Sequence, residues 1–318
     1  MGKIPILAAV LGGLLLISTA QTSQPQAQPP NNPTPNNETG PDVDALHSLR
    51  RATVSLGLRV TESGRVRFAT VGSGVIITWD RYHGCLLTAK HVFFNPDQGY
   101  TPTMLYLRIP QNEPRADDDL GVPLVLVENG RTLWRGADDA DLAVISLPDI
   151  SRYPDLHGFG LEDFGDESDI YQGATVVVFG YPDLLGSEYQ TTPIARSGTV
   201  AWTNPNGHLT HTFLVDANVF SGNSGGPVFH IPTGITRDRQ IAMGGKFKLI
   251  GIISKGAAEE APVHAGPLPI TSTNRLTGEV TPITARVLNI GGIGIVEPAP
   301  RAKKLIMDSF DTKPQTNP

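Results

Sequence analysis

Three separated stretches of this chain carry the residue types of nucleophilic acyl transfer. The most telling is Phe220-Ser221-Gly222-Asn223-Ser224-Gly225-Gly226-Pro227-Val228. A nucleophilic serine must stand on a tight turn with backbone N–H groups converging beside it, and small neighbours allow that. Gly222 lets the chain turn so that its own N–H and that of Ser224 aim at one point, an oxyanion site. Gly222, Asn223 and Ser224 are therefore the candidate oxyanion loop. Gly225 and Gly226 leave room for a substrate backbone, and Pro227-Val228-Phe229 opens a strand. Glycine-rich turns holding a serine are also common structural features, so the rest of the chain must decide.

Upstream, Leu86-Leu87-Thr88-Ala89-Lys90-His91-Val92 ends an apolar strand in a histidine, where a short helical turn can hold the imidazole over a cleft. Alone, His91 could be an ordinary loop residue; His83, on the preceding turn, reads as solvated. The third stretch is Asp138-Asp139-Ala140-Asp141-Leu142-Ala143-Val144-Ile145. A carboxylate that orients a catalytic imidazole must be partly buried and bonded to the ring nitrogen facing away from the serine. Asp141 abuts the apolar run and is drawn inward with it, whereas Asp138 and Asp139 read as solvated loop charges. The order His91, Asp141, Ser224 and the wide separations match barrel-type serine peptidase triads. The rival reading of Gly222 to Gly226 as a Gly-x-Ser-x-Gly elbow fails. That elbow leads into a helix and is followed by its acid and histidine; here a proline and a strand follow.

The elements that must hold these residues are strands. Gly (34) and Pro (27) are abundant and charges are sparse, which favours short strands joined by turns over long helices. Apolar or alternating runs bounded by turn residues recur at 53–60, 74–79, 104–108, 124–127, 142–147, 174–179, 198–202, 211–215, 227–230, 247–254 and 293–296. About a dozen such strands read as barrels or a sandwich. The first helical pattern is expected only at 300–307, as a closing helix. No internal repeat indicates a solenoid. The Pro-, Thr- and Gly-rich stretch from Ala257 to Asn289 is longer than a hairpin needs and is read as a flap.

Before the domain, Lys3 and the apolar run Ile4 to Ala20 have the form of a signal peptide ending in Ser18-Thr19-Ala20. An uncleaved anchor is the alternative, because the run is only slightly shorter than the roughly 20 residues of a spanning helix. Either way the remainder is expected outside the cytoplasm. Residues 21–42, rich in Gln, Pro, Asn and Thr, bury too little to order and read as a linker. The sequence thus divides into 1–20, signal or anchor; 21–42, linker; 43–310, folded domain; and 311–318, tail. Asn37-Glu38-Thr39 has sequon form but carries little weight. Cys85 is the lone cysteine, so no intrachain disulfide is available. A net charge of −6 with interspersed signs leaves no basic stripe for nucleic acid. Asp117-Asp118-Asp119 and the 162–169 acidic cluster could take calcium but read as solvated loops. No metal or other cofactor is expected.

With these motifs together, the chain resembles the trypsin-like serine peptidase superfamily, and within it the HtrA-type (Do-like) peptidases. The likeness spans roughly Ser48 to Met307. It includes Gly72-Ser73-Gly74-Val75-Ile76-Ile77-Thr78 before the histidine strand, Leu87 to Val92, Asp141 to Val144 and Phe179-Gly180-Tyr181-Pro182. It continues in Ser197-Gly198-Thr199-Val200, Asp216-Ala217-Asn218 before the serine loop, Gly251-Ile252-Ile253-Ser254, and Gly292 to Pro298 before the last helix. The resemblance implies two six-stranded antiparallel β-barrels with a short C-terminal helix, and an endopeptidase acting on polypeptides. It implies that Gly251 to Ser254 form the strand that binds substrate backbone, with Ser254 a substrate-binding residue that also helps hold Asp141. It also places Asn218 at the base of the primary specificity pocket, with Gly256 and Gly294 on its walls. An uncharged floor leads to an expected preference for small or medium uncharged side chains. HtrA-type proteins usually carry a C-terminal peptide-binding PDZ domain, which is not expected in the few residues after the helix. Asn223 stands where digestive relatives hold an acid that pairs with a newly cut N-terminus, so no activating cleavage is expected. Two other classes remain: a catalytically silent binding module or chaperone on this scaffold, and a non-peptidase hydrolase or capsid-type autoprocessing protein.

Overall fold

The computed structural model of the chain describes residues 41–80, 82–110, 121–147, 156–182, 190–204, 212–256, 258–262, 264–265, 268–269, 271–273, 280–282, 284–288 and 292–310. The apolar run 4–20, most of the 21–42 stretch, Asp117-Asp118-Asp119 and the 311–318 tail lie outside the described residues.

The described chain opens with a helix the sequence reading did not anticipate, α1 (Pro41–Ala52). Its short apolar stripe nevertheless reaches the core: Leu49 and Ala52 are buried one turn apart. The Thr53 hydroxyl then donates to the Leu49 carbonyl (3.1 Å) where the helix hands over to strand.

The first half of the fold is a sheet built from β1 (Thr53–Glu62), β2 (Arg65–Thr78), β3 (Gly84–Thr88), β4 (Met104–Arg108) and β5 (Val122–Val125). A small ladder, β6 (Val127–Glu128) with β7 (Arg131–Thr132), precedes β8 (Trp134–Gly136) and β9 (Ala143–Leu147). The strand order is β5-β4-β1-β2-β3-β9-β8, with β10 (Phe159–Gly160) beside β2. Strands β1 and β2 meet through Ser63 and Gly64, whose φ values of 52° and 79° give the mirror-image turn that suits a two-residue hairpin. Between β3 and β4 lies the one-turn helix α2 (Lys90–Phe93).

The second half is a closed six-stranded barrel. It contains β11 (Thr175–Gly180), β12 (Ile194–Trp202), β13 (Phe213–Asp216) and β14 (Pro227–His230). After the hairpin β15 (Thr233–Ile235) and β16 (Ile241–Met243) comes β17 (Lys248–Gly256). Six short strands follow: β18 (Ala258–Pro262), β19 (His264–Ala265), β20 (Leu268–Pro269), β21 (Thr271–Thr273), β22 (Val280–Pro282) and β23 (Thr284–Leu288). They pair as β18 with β23, β19 with β20, and β21 with β22, so the described part of the expected flap is an arm of nested antiparallel ladders. Strand β24 (Ile293–Pro298) then closes the barrel in the order β11-β12-β13-β24-β17-β14, and helix α3 (Ala299–Ser309) follows.

Both faces of the central strands are apolar because each half contributes to two cores. Ile76 and Leu86 point into the first sheet's own core with Val54, Leu56 and Phe93. Their neighbours Val75, Ile77, Cys85 and Leu87 point the other way. There they meet Val177 and Phe179 of β11, Phe229 of β14, and Ala302 and Ile306 of α3. The alternate residues Val176, Val178 and Val228 fill the barrel with Phe213, Ile253 and Val296. The period of two, applied to both faces, gives the continuous apolar runs seen in the sequence. The middle layer welds the halves together, and the candidate site opens at its edge.

Candidate active site

His91 is supplied by α2, whose next two residues, Val92 and Phe93, are buried and pin the turn to the core. Asp141 lies just before β9, in the loop leaving β8. Its carboxylate meets His91 twice: Oδ1 accepts the His91 backbone N–H (3.0 Å) and Oδ2 bonds ring Nδ1 (2.8 Å). Oδ2 also accepts the Ser254 hydroxyl (2.6 Å) from β17. Burial pushes the Asp141 carboxyl up, but the His91 and Ser254 interactions outweigh it and hold it below the usual carboxylate range. An anionic Asp141 fixes the proton on Nδ1 and leaves Nε2 as the basic nitrogen.

Ser224 reaches the same place from the barrel. The Asn223 N–H donates to the Phe220 carbonyl (3.1 Å), closing a β-turn with Ser221 and Gly222 at its centre. Gly222 has φ = 89°, the left-handed value that the third position of a type II turn requires and glycine supplies. Among the described residues, the N–H groups of Gly222 and Ser224 have no acceptor. Asn223 lies beneath the turn, 1 % exposed, with its Nδ2 unpartnered.

Strand β2 clamps this loop from across the junction. Ser73 donates its backbone N–H to the Ser224 carbonyl (2.7 Å) and its hydroxyl to the Gly222 carbonyl (2.7 Å). The same hydroxyl accepts the Tyr181 N–H (2.9 Å), and the Ser73 carbonyl accepts the Thr88 hydroxyl (2.7 Å). Gly225, at φ = 84°, sits so close to this clamp that a Cβ would lie 2.1 Å from both the Ser73 carbonyl and Thr88 Oγ1. From the other side the Gly225 N–H donates to the Ile253 carbonyl (2.7 Å).

His91, Asp141, Ser224, Ser254 and Gly222 line one open cleft of about 810 Å³. No hydrogen bond joins Ser224 Oγ to His91 across it. Asn218, Gly256 and Gly294, expected at the primary pocket, lie apart from that lining. Asn218 is exposed, at φ = 50°, its carbonyl accepting Arg196 Nη1 (2.7 Å). It is the neighbouring Val219, 5 % exposed, that fills the space between Gly256 and Gly294. A Cβ on Gly294 would meet Val219 Cγ2 at 2.6 Å, and one on Gly256 would meet the Val219 carbonyl at 3.2 Å.

A second support of Asp141 is invisible in the sequence pattern. Glu297 on β24, 4 % exposed, accepts the Asp141 N–H at Oε1 (3.1 Å) and pairs through Oε2 with Arg301 of α3 (3.3 Å). Arg301 also bonds the Asp139 carbonyl (2.6 Å) and carboxylate (2.7 Å). Lys90, beside His91, caps the Ala137 carbonyl (2.9 Å). The loop carrying Asp141 is therefore fastened at three points. Burial raises the Glu297 carboxyl, against the pull of the Asp141 N–H and Arg301.

Of the remaining polar residues, exposed His83 bonds Asp80. In the acidic stretch 162–169, Asp166 caps a turn and Asp169 pairs with Lys248 (3.1 Å). Among the described residues no cluster of His, Cys, Asp and Glu could hold a metal.

A sheet-plus-barrel fold with a serine loop and a His–Asp pair at the junction defines a trypsin-like architecture. The family model of the trypsin-like peptidase domain matches residues 72–234, half of the chain, and the chain belongs to that family. The match begins at the Gly72-Ser73-Gly74 clamp and covers His91, Asp141 and Ser224. No curated protein matches the chain.

Proposed function

We propose that the chain is an exported serine endopeptidase, of HtrA-like type, in which Ser224 is the nucleophile, His91 the general base and Asp141 the residue that orients it. The observation that carries this reading is the bonded set His91–Asp141–Ser254 opening on the same cleft as Ser224. As the hydroxyl attacks a peptide carbonyl, its proton passes to His91 Nε2. The carbonyl oxygen takes up negative charge against the N–H groups of Gly222 and Ser224, and an acyl-enzyme forms. His91 then gives its proton to the leaving amine, and water repeats the sequence to release the acid. Asn223 adds no charge beneath the turn, and the turn is formed without a buried ion pair; this supports a site that needs no activating cleavage. Val219 fills the slot between Gly256 and Gly294, which supports a preference for small or medium uncharged side chains before the scissile bond. Export rests on the apolar run 4–20 and places the enzyme in a bacterial envelope or the medium.

The test is labelling of the full chain with a fluorophosphonate, beside Ser224→Ala and His91→Ala. Labelling should vanish in Ser224→Ala and fall about 10⁴-fold or more in rate in His91→Ala. A folded wild type that does not label overturns the enzyme reading in favour of a silent binding module.

A further inference from the structure

The hairpin of β15 and β16 inverts the usual relation between sheet faces and the core. In its register Ile235 lies opposite Ile241 and Thr233 opposite Met243, while Gly234 faces Ala242. Side chains alternate along strands, so Ile235, Ile241 and Met243 share one face and the two small residues take the other. The apolar face looks into water. Ile235 is 70 % exposed, Ile241 78 % and Met243 94 %.

The hairpin is nevertheless fixed in place. Tyr171 Oη donates to the Ile235 carbonyl (3.3 Å) and Thr175 Oγ1 to the Thr233 carbonyl (3.3 Å), holding its backbone to the barrel. The tip is closed by Thr236 and Gln240, with the Thr236 N–H on the Gln240 carbonyl (2.8 Å). Large aliphatic side chains held in water on an ordered ribbon usually mark a contact surface.

The charges around this face say what it contacts. Arg237 and Arg239 stand at the tip and Lys246 at the base, all exposed, and none has an ion-pair partner among the described residues. The single carboxylate between them, Asp238, leaves the segment two positive charges to the good on a chain whose net charge is −6. Three exposed aliphatic side chains flanked at the tip and base by unpaired cations match an anionic bilayer, where the apolar groups enter the headgroup region and the cations meet lipid phosphates. A protein-docking surface would be expected to offer aromatic anchors or a pocket. This face is aliphatic and offers no aromatic side chain.

We propose that the β15–β16 hairpin is a membrane-docking element that seats Ile235, Ile241 and Met243 in the surface of an anionic bilayer. The geometry suits the proposed enzyme without depending on it. Strand β14 begins three residues after Ser224 and ends three residues before β15, so the hairpin lies at the far end of that strand from the serine loop. A chain seated on it keeps its cleft open to water.

The experiment uses the full chain carrying Met243→Cys labelled with the environment-sensitive fluorophore NBD. Native Cys85 is fully buried and does not compete for label. On vesicles of equal parts phosphatidylglycerol and phosphatidylcholine, the emission should shift to the blue and be quenched by a nitroxide on the lipid chains. Phosphatidylcholine alone should give a much weaker response. With Arg237→Gln and Arg239→Gln together, the lipid needed for the half-maximal shift should rise about 25-fold, from about fivefold per cation. A label that stays in water while the chain cosediments with vesicles overturns the proposal, because another segment then does the binding. A blue shift that grows with protein concentration in the absence of lipid overturns it in favour of self-association. Equal response to neutral vesicles removes the electrostatic part and with it the choice of an anionic surface.

Discussion

Replacing Glu297 by Ala should slow the chemical step without weakening substrate binding. Glu297 lines the same cleft but makes no hydrogen bond to His91 or Ser224; it accepts the backbone N–H of Asp141 at 3.1 Å. A hydrogen bond to a charged acceptor contributes about 1.5–3 kcal/mol. The transition state needs Asp141 in register with the imidazolium, whereas the ground state does not. If most of that energy is expressed only in the transition state, kcat should fall about 10- to 100-fold. The ceiling is set by loss of Asp141 function itself, about 10⁴-fold in triad enzymes. KM should stay within about twofold, since Glu297 supports orientation and not binding. Glu297→Gln keeps an acceptor toward Asp141 and should recover most of the rate. The assay is hydrolysis of succinyl-Ala-Ala-Ala-p-nitroanilide, with active sites titrated by fluorophosphonate so that loss of folded enzyme does not pass for loss of rate. The acid limb of the kcat/KM profile should also move in the Ala variant, a response a purely structural role would not give. Equal turnover per titrated site in Glu297→Ala and wild type would refute the reasoning.

Two further outcomes follow from the same geometry. Val219→Gly should clear the slot between Gly256 and Gly294. It should raise kcat/KM for a Phe over an Ala p-nitroanilide by about 10-fold or more, since a misfit of a single methylene already costs about 1–3 kcal/mol; an unchanged ratio would place the slot elsewhere. The two carboxyls beside the site should give opposite pH dependences in equilibrium unfolding. Asp141 is held below its unfolded value, so its stabilisation is present above the ordinary carboxylate range and is lost as pH falls through the lowered folded value. Glu297 is raised, so the fold loses stability as pH rises from the ordinary glutamate value through the higher folded one. Glu297→Gln removes that loss, and its stability relative to wild type should climb across this window in urea titrations; a flat difference would contradict the burial argument.

Much of the site was legible because its parts are local. The serine loop declares itself by glycines at positions that need φ > 0 or have no room for a Cβ, as at Gly222 and Gly225. His91 and Asp141 each sit at the end of an apolar strand, which is a short-range pattern. The strand at 104–108 and the run at 227–230 coincide with β4 and β14 for the same reason. The illegible parts depend on distant residues or on weak periodicity. Glu297 meets Asp141 across 156 positions, and a glutamate before a proline reads as a surface residue. Helix α1 buries Leu49 and Ala52 alone among its described side chains, too narrow a stripe to stand out. Arg50 and Arg51 in its last turn, with Pro41 at its start, were the available signs. Val219 was hidden by its neighbour, because a polar Asn218 draws attention where the packing assigns the space to an apolar side chain.

The placement of these unforeseen residues follows a physical requirement. The serine loop belongs to the barrel and the His–Asp pair to the first sheet, so any relative shift of the halves opens the proposed site. Apolar packing in the middle layer resists separation but is non-directional and tolerates small slides. Hydrogen bonds impose direction, and three sets cross the junction at the site itself: Ser73 to Gly222 and Ser224, Ser254 to Asp141, and Glu297 with Arg301 to the Asp141 loop. The bonds made by Ser73, Ser254 and Glu297 are buried or half-buried, so breaking one leaves an unsatisfied polar group as well as a lost bond. They run in both directions, from sheet to serine loop and from barrel to aspartate loop. Neither half can therefore move without straining the serine or aspartate loop carried by the other. A register error of 1 Å can cost a catalytic site 10²-fold, and these cross-ties act against that displacement.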